Sequence, residues 1–246
     1  MPGHTPAQAT HANYSSAGTQ EPNMRFESFD FAPEILRAIS DCGYQEMTPV
    51  QSQAIPAIRR GRDVLASAQT GTGKTAAFAL PILQRLVDNP APVQPSNARV
   101  LILTPTRELA AQVASNINDF AKYLDITTLT IVGGGKQDVQ AKKLKAGAHI
   151  IVATPGRLLE HLTACNLSLS GVETLVLDEA DRILDMGFSA DVQQILQAVN
   201  KTRQNLLFSA TFSEAVKKLA NLMLDKPQVV AVDKQNSTAD LSLIHI

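Results

Sequence analysis

Residues 68–75 read AQTGTGKT, set between the apolar run 63–66 and an amphipathic stretch at 76–87. Strand, glycine-rich loop and helix, in that order, are the parts of a phosphate-binding loop. Glycines let the backbone curl so that successive N–H groups face an anion. The helix start adds its partial positive charge. On this reading Ala68, Gln69, Thr70, Gly71, Thr72, Gly73, Lys74 and Thr75 form the nucleotide-binding loop. Lys74 is placed to reach the β- and γ-phosphates of ATP, and the Thr75 hydroxyl to ligate Mg²⁺. The general pattern opens with glycine, whereas this one opens with Ala68. The alternative, a plain glycine-rich turn before a helix, loses to the Gly-Lys-Thr ending in this context.

Working outward, apolar, β-branched runs recur at 63–66, 100–103, 127–132, 150–153, 174–177, 205–208 and 228–232. Most are continuous rather than alternating, as expected of strands covered on both faces. Helical patterns separate them at 76–87, 108–124, 139–145, 156–163, 190–199 and 214–224, and two more precede the first strand at 33–41 and 49–59. The alternation implies an α/β fold, a doubly wound, mainly parallel sheet with helices on both faces. Ligands of such a sheet bind at the carboxyl ends of its strands. One of those ends carries a second signal: residues 175–181 read LVLDEAD, an apolar strand that delivers Asp178 and Glu179. Asp178 is placed to hold Mg²⁺, largely through water, and Glu179 to orient or deprotonate an attacking water. A solvated acidic turn would explain the pair equally well if the segment stood alone. The phosphate loop upstream in the same sheet decides for chemistry, with Lys74, Asp178 and Glu179 as the catalytic set.

Composition bounds the rest. The chain has 246 residues, 44% of them hydrophobic, enough for one α/β core and too few for two such domains with linkers. A formal net charge of −1 gives no overall basic excess, so a nucleic-acid site must be local. Cys42 and Cys165 have no metal-ligand spacing and read as buried free thiols. No apolar run is long enough for a membrane span, and no signal peptide is evident. The expected setting is the cytoplasm. Residues 1–23 are rich in Pro, Ala, Thr, Gln, Ser and His and read as a disordered tail. The domain is expected over 24–235, followed by a truncated C-terminal segment over 236–246.

Asp178-Glu179-Ala180-Asp181 spells the tetrad that names the DEAD-box RNA helicases, and Ala68 is that family's variant of the phosphate loop. Ser209-Ala210-Thr211 follows the next strand, as the family's coupling motif does. Pro105-Thr106-Arg107-Glu108-Leu109-Ala110, Gly133-Gly134 and Thr154-Pro155-Gly156-Arg157 match its first-domain RNA motifs. The sequence therefore resembles the first RecA-like domain of a DEAD-box ATP-dependent RNA helicase over residues 26–235. The surrounding text is most similar to the bacterial RhlE-type branch.

The resemblance implies an ATP hydrolase that uses Mg²⁺ and separates short RNA duplexes. It assigns adenine recognition to the segment GYQEMTPVQ at 43–51, with Tyr44 and Gln51 as contacts and Phe26 stacking on the base. A Gln amide offers a donor and an acceptor in one plane, which matches an adenine edge. Phe26 reads equally well as a core anchor for the first helix. The family's usual proline in this segment is replaced by Met47.

Pro105, Thr106, Arg107, Gly133, Gly134, Thr154, Pro155, Gly156 and Arg157 are the implied RNA contacts, to phosphate and sugar rather than to bases. Locally, Thr104-Pro105 and Thr154-Pro155 also each read as a good helix cap with proline at the first helical position. The family carries a second RecA-like domain, whose arginines complete the active site. Nothing after Arg203 supplies an arginine here, and LSLIHI at 241–246 does not read as the start of that domain. The 246 residues alone are expected to bind nucleotide, hydrolyse it slowly and unwind nothing. A nucleotide- and RNA-binding module without turnover is the alternative, while an unrelated P-loop ATPase would lack the Gln51 segment and the Thr-Pro motifs.

Overall fold

The computed structural model describes residues 24–69 and 71–231. The expectations for the 1–23 tail, Thr70 and the 236–246 segment lie outside those residues.

Among these residues seven strands form one sheet in the order β3-β4-β2-β5-β6-β1-β7, and every pairing is parallel. They are β1 (Val64–Ser67), β2 (Ala98–Leu103), β3 (Thr128–Ile131), β4 (Ala148–Ala153), β5 (Thr174–Leu177), β6 (Gln204–Ser209) and β7 (Gln228–Ala231). Among the described residues nine helices accompany them: α1 (Pro33–Asp41), α2 (Pro49–Arg59), α3 (Lys74–Asp88), α4 (Arg107–Phe120), α5 (Gln137–Ala146), α6 (Pro155–Thr163), α7 (Ala180–Asp185), α8 (Ser189–Ala198) and α9 (Glu214–Met223). A single 3₁₀ turn at Phe26–Ser28 precedes α1. All seven expected strands and all eight expected helices are present. The short α7 and the 3₁₀ turn are additional.

The continuous apolar runs have a simple cause. Successive side chains of a strand point to opposite faces, and here both faces are covered. Val64, Val100, Ile102, Val176, Leu206 and Phe208 join a core with α1–α4. Their neighbours Leu65, Leu101, Leu103, Leu175, Leu177 and Leu207 join a second core under α6–α9. The edge strand β3 is the exception, with Thr128, Leu129 and Thr130 only half-buried.

Neither cysteine is buried. Cys42 caps the end of α1, and Cys165 sits in a left-handed turn after α6 with φ 53°. Both follow helix ends at the surface, where the chain turns away from the core. Because every strand runs the same way, all strand–helix loops gather at one end of the sheet and all helix–strand loops at the other. Among the described residues, no helix is long and apolar enough to cross a membrane.

Candidate functional site

The phosphate loop leaves β1 at the carboxyl end of the sheet. Its first residue, Ala68, is fully buried, and its N–H donates to the Ser209 carbonyl at 3.2 Å, which ties the loop to the end of β6. Gly71 and Gly73 both take positive φ, 86° and 90°, the conformation for which glycine is needed. The Thr72 hydroxyl donates to the Gln69 carbonyl at 2.7 Å and tightens the curl. Lys74 opens α3, is buried, and donates from Nζ to the Ala68 carbonyl at 3.0 Å. The ammonium is thus folded back over its own loop. Thr75 follows it in the first turn of α3, half-buried.

Asp178 continues β5, its N–H donating to the Leu103 carbonyl of β2 at 2.9 Å. The side chain is 2% exposed, and Oδ1 is buried without a hydrogen-bond partner. Burial pushes the carboxyl up to about 6; the Lys74 charge opposes that shift and Glu179 adds to it. A buried carboxylate oxygen with nothing to accept from is costly, and a cation is what would satisfy it. Among the described residues, no group of three or more His, Cys, Asp and Glu side chains converges as a metal cage. The donor set nonetheless fits Mg²⁺, which such sites hold through one or two carboxylates plus phosphate oxygens and water.

Glu179 is buried in a left-handed conformation, φ 53°, and caps α7. A non-glycine residue there costs roughly 1–2 kcal/mol, the kind of strain that collects at functional sites. Its Oε2 accepts from Arg182 at 3.3 Å.

The fourth residue of the tetrad has the clearest geometry. Asp181 Oδ2 accepts from both the N–H and the hydroxyl of Thr211, each at 2.9 Å, and its own N–H donates to Ser209 Oγ at 3.2 Å. The Ser209 hydroxyl in turn donates to the Thr211 carbonyl at 2.8 Å. Ser209, Ala210 and Thr211 are therefore clamped onto α7 rather than free turn hydroxyls. Asp181 was passed over in the sequence because position in a tetrad does not reveal a partner thirty residues away.

Gln51 is fully buried and bridges two elements. Its Oε1 accepts the Thr48 N–H at 2.9 Å, while its Nε2 donates to the Gly73 carbonyl at 3.1 Å. The first contact is half of a capping box, and the Thr-x-x-Gln spacing signals it. A Cβ at Gly73 would collide with Gln51 Nε2, so the phosphate loop and the Gln51 segment approach at backbone distance. One amide hydrogen and one lone pair of Gln51 remain for a further partner. Met47, in place of the family's proline, is buried and donates its N–H to the Met24 carbonyl at 3.0 Å.

Phe26 is 2% exposed and meets the Tyr44 ring edge-on, with centroids 6.2 Å apart. Tyr44 meets Phe120 in the same way at 5.8 Å. Phe26 is placed as a core anchor, and of the two aromatics Tyr44 is the one open to solvent.

The segments expected to contact RNA end β2, β3 and β4, which are neighbours in the sheet. Two details differ from expectation. Thr106, not Thr104, caps α4 by accepting the Leu109 N–H at 3.2 Å, so the helix starts at Arg107 and Pro105 is a buried connector. Thr154 holds the N-cap position of α6 before Pro155, but its hydroxyl makes no cap bond.

Both arginines reach the glycine loop. The guanidinium of Arg107 lies where a Cβ of Gly134 would be, Gly134 having φ 86°. Arg157 Nη1 donates to the Gly135 carbonyl at 3.0 Å, and its Nε pairs with Glu160 at 2.9 Å. Gln140 ties the loop down. Its Nε2 donates to the Val132 carbonyl at 2.8 Å, and its Oε1 faces Arg157 at 3.4 Å and the buried His161 at 2.9 Å. Asn166 holds the other ring nitrogen of His161 at 3.3 Å. Gly133 and Gly156 are half-buried beside this network. Neither Gln140 nor His161 carried a sequence signal.

A family model described as DEAD/DEAH box helicase matches residues 48–219. The chain belongs to that family. A crystal structure of a DEAD box protein from the hyperthermophile Methanococcus jannaschii superimposes with a TM-score of 0.79 at 37% identity, over 85% of this chain and 56% of that one. The DEAD-box ATP-dependent RNA helicase 28 of Oryza sativa is 45% identical over 220 residues, 89% of this chain and 27% of the rice protein. The ATP-dependent RNA helicase RhlB of Pseudomonas syringae is 44% identical over 232 residues, 92% of this chain and 58% of the relative. The DeaD helicase of Escherichia coli is 44% identical over 214 residues, 87% of this chain and 33% of the relative. The DEAD-box chain described here thus spans between about a quarter and three-fifths of these relatives. They do not separate the RhlE-type branch from its neighbours.

Proposed function

We propose that this chain is the ATP-binding half of an ATP-dependent RNA helicase. One observation carries the reading: at a single sheet end, a glycine-curled loop with a buried lysine faces a buried aspartate whose Oδ1 has no partner. Lys74 would exchange the Ala68 carbonyl for phosphate oxygens. Asp178 and the Thr75 hydroxyl would hold Mg²⁺, which neutralises charge on the phosphates when bound. Glu179, fixed by its backbone and by Arg182, would orient the water that attacks the γ-phosphorus. The Pγ–O bond to the β-phosphate then breaks, and ADP leaves.

The remaining hydrogen-bond capacity of Gln51 would select adenine. Arg107 and Arg157, held over the Gly133–Gly135 loop, would contact the sugar–phosphate strand, joined by the backbone of Pro105, Thr106, Gly133, Gly134, Thr154, Pro155 and Gly156. The Asp181–Ser209–Thr211 clamp would report nucleotide state across the sheet. The cytoplasm is the compartment this activity fits.

Calorimetric titration with Mg–ADP tests the core of the proposal. Lys74→Ala should lose on the order of 100-fold in affinity, since a charge-assisted phosphate contact is removed. Glu179→Gln should bind as the parent does and fail only in phosphate release. Unchanged affinity in Lys74→Ala would overturn the assignment.

A further inference from the structure

The opposite end of the sheet also carries a built cavity, of about 720 Å³. Its walls come from the residues that precede β1, β6 and β7, together with the end of α9. Because the strands are parallel, this is the end farthest from the phosphate loop. Four cations line it, Arg62, Lys201, Arg203 and Lys226. None of them is in an ion pair, although six ion pairs form elsewhere among the described residues.

Two acids share the wall, Asp63 and Asp225. Asp63 is occupied: its oxygens accept the Asn205 N–H at 2.7 Å, Asn205 Nδ2 at 3.2 Å and the Asp225 N–H at 2.9 Å. The lining therefore carries two more positive than negative groups in a chain whose net charge is −1. Arg203 Nε is buried there without a hydrogen-bond partner, while Arg203 Nη1 donates to the Asn200 carbonyl at 2.6 Å and Arg62 Nη2 to the Lys226 carbonyl at 3.1 Å. Burial holds the Arg203 guanidinium below its usual range, with Asp63 opposing. Cations that outnumber the acids in a concavity focus a positive potential, and the unpaired Arg203 Nε–H is a donor that a bound acceptor satisfies.

We propose that this cavity is a second anion site that takes phosphate groups. Phosphate suits it better than a single carboxylate, because four cations on one wall match a ligand bearing several charges. Its source is either the backbone of an RNA that extends past the Arg107–Arg157 face or a free oligophosphate. The RNA source rests on the proposed RNA-binding function, whereas the free anion does not.

The test uses the chain saturated with Mg–ADP, so that the phosphate loop is occupied. The variant is Lys201→Glu/Lys226→Glu, both exposed positions, with a melting curve as the folding control. Inorganic tripolyphosphate is titrated by calorimetry, and 10- and 30-nucleotide single-stranded RNAs by fluorescence anisotropy. Tripolyphosphate binding that falls about tenfold in the variant and persists in Arg107→Ala/Arg157→Ala supports the site. A matching loss for the 30-nucleotide but not the 10-nucleotide RNA, with a salt slope shallower by about 1.4, identifies the RNA backbone as the source. Tripolyphosphate affected without the long RNA identifies a free anion. If neither probe responds to the variant, the cavity is not a phosphate site. Loss of RNA binding only in Arg107→Ala/Arg157→Ala, with tripolyphosphate binding unchanged in the lysine variant, would leave the main RNA reading intact and sink this one.

Discussion

Two buried aspartates stand at opposite ends of the sheet and have opposite surroundings. Asp63, before β1, receives three N–H donors from Asn205 and Asp225. Asp178, after β5, keeps one oxygen without any donor and has its carboxyl pushed up to about 6. Both are buried, yet one is satisfied by its own chain and the other keeps an oxygen that its own chain does not satisfy. A carboxylate that closes its hydrogen bonds internally holds the fold together. One that does not is a cost to the fold, of the kind that collects at functional sites.

The largest effect expected from breaking this comparison is at Asp63. Asp63→Ala strips partners from the Asn205 and Asp225 backbone N–H groups and should destabilise by about 3–5 kcal/mol, the range for removing one member of a buried charged network. The midpoint of urea unfolding measures it, and a loss under 1 kcal/mol would remove Asp63 from the structural class.

Asp178 should behave in the reverse sense. Its folded value, about 6, lies above its ordinary 3.8. The folded state therefore binds the extra proton, and stability falls as pH rises from about 4 to about 6, with the penalty complete above that. Asp178→Asn removes the charge and should stabilise the nucleotide-free protein by on the order of 3 kcal/mol near pH 7, and by little near pH 4. Melting temperatures at the two pH values decide it. The same variant should fail to hydrolyse ATP.

Gln51 sits between the two classes, since it both fastens the fold and retains free capacity. Gln51→Ala should cost roughly 1–3 kcal/mol of the preference for ATP over GTP, read by competition binding. A lower melting temperature with discrimination intact would reduce Gln51 to a helix cap.

The smallest change is expected at Glu179. Glu179→Gly relieves the left-handed backbone and should stabilise by about 1 kcal/mol while removing hydrolysis. A destabilised variant would show that the Arg182 ion pair outweighs the strain.

The parallel sheet was legible in the sequence because strands covered on both faces have no choice but continuous apolar runs, as at 100–103 and 174–177. The phosphate loop was legible because its glycines and Gly-Lys-Thr ending serve one geometry. What escaped is long-range or brief. α7 has six residues directly after the carboxylates, too few to show a period. The grip of Asp181 on Thr211, of Gln140 on His161 and of Asp63 on Asn205 depends on which strands become neighbours, and local pattern does not encode that. Cys42 and Cys165 were misplaced because their usual tendency to be buried yields, at these positions, to the surface location of helix ends.

The position of β1 has a consequence for biogenesis. The strand that bears the phosphate loop is enclosed by β6 and β7, with Val64 paired to Leu206 on one side and to Gln228 on the other. Both neighbours are made long after it, so during synthesis the first strand must wait for nearly the whole domain before its edges are covered. Closing loops of that length slows folding, and an exposed central strand invites mispairing in the interval. The nucleotide affinity proposed for the loop would thus be a late property of the nascent chain, present once the sheet has closed.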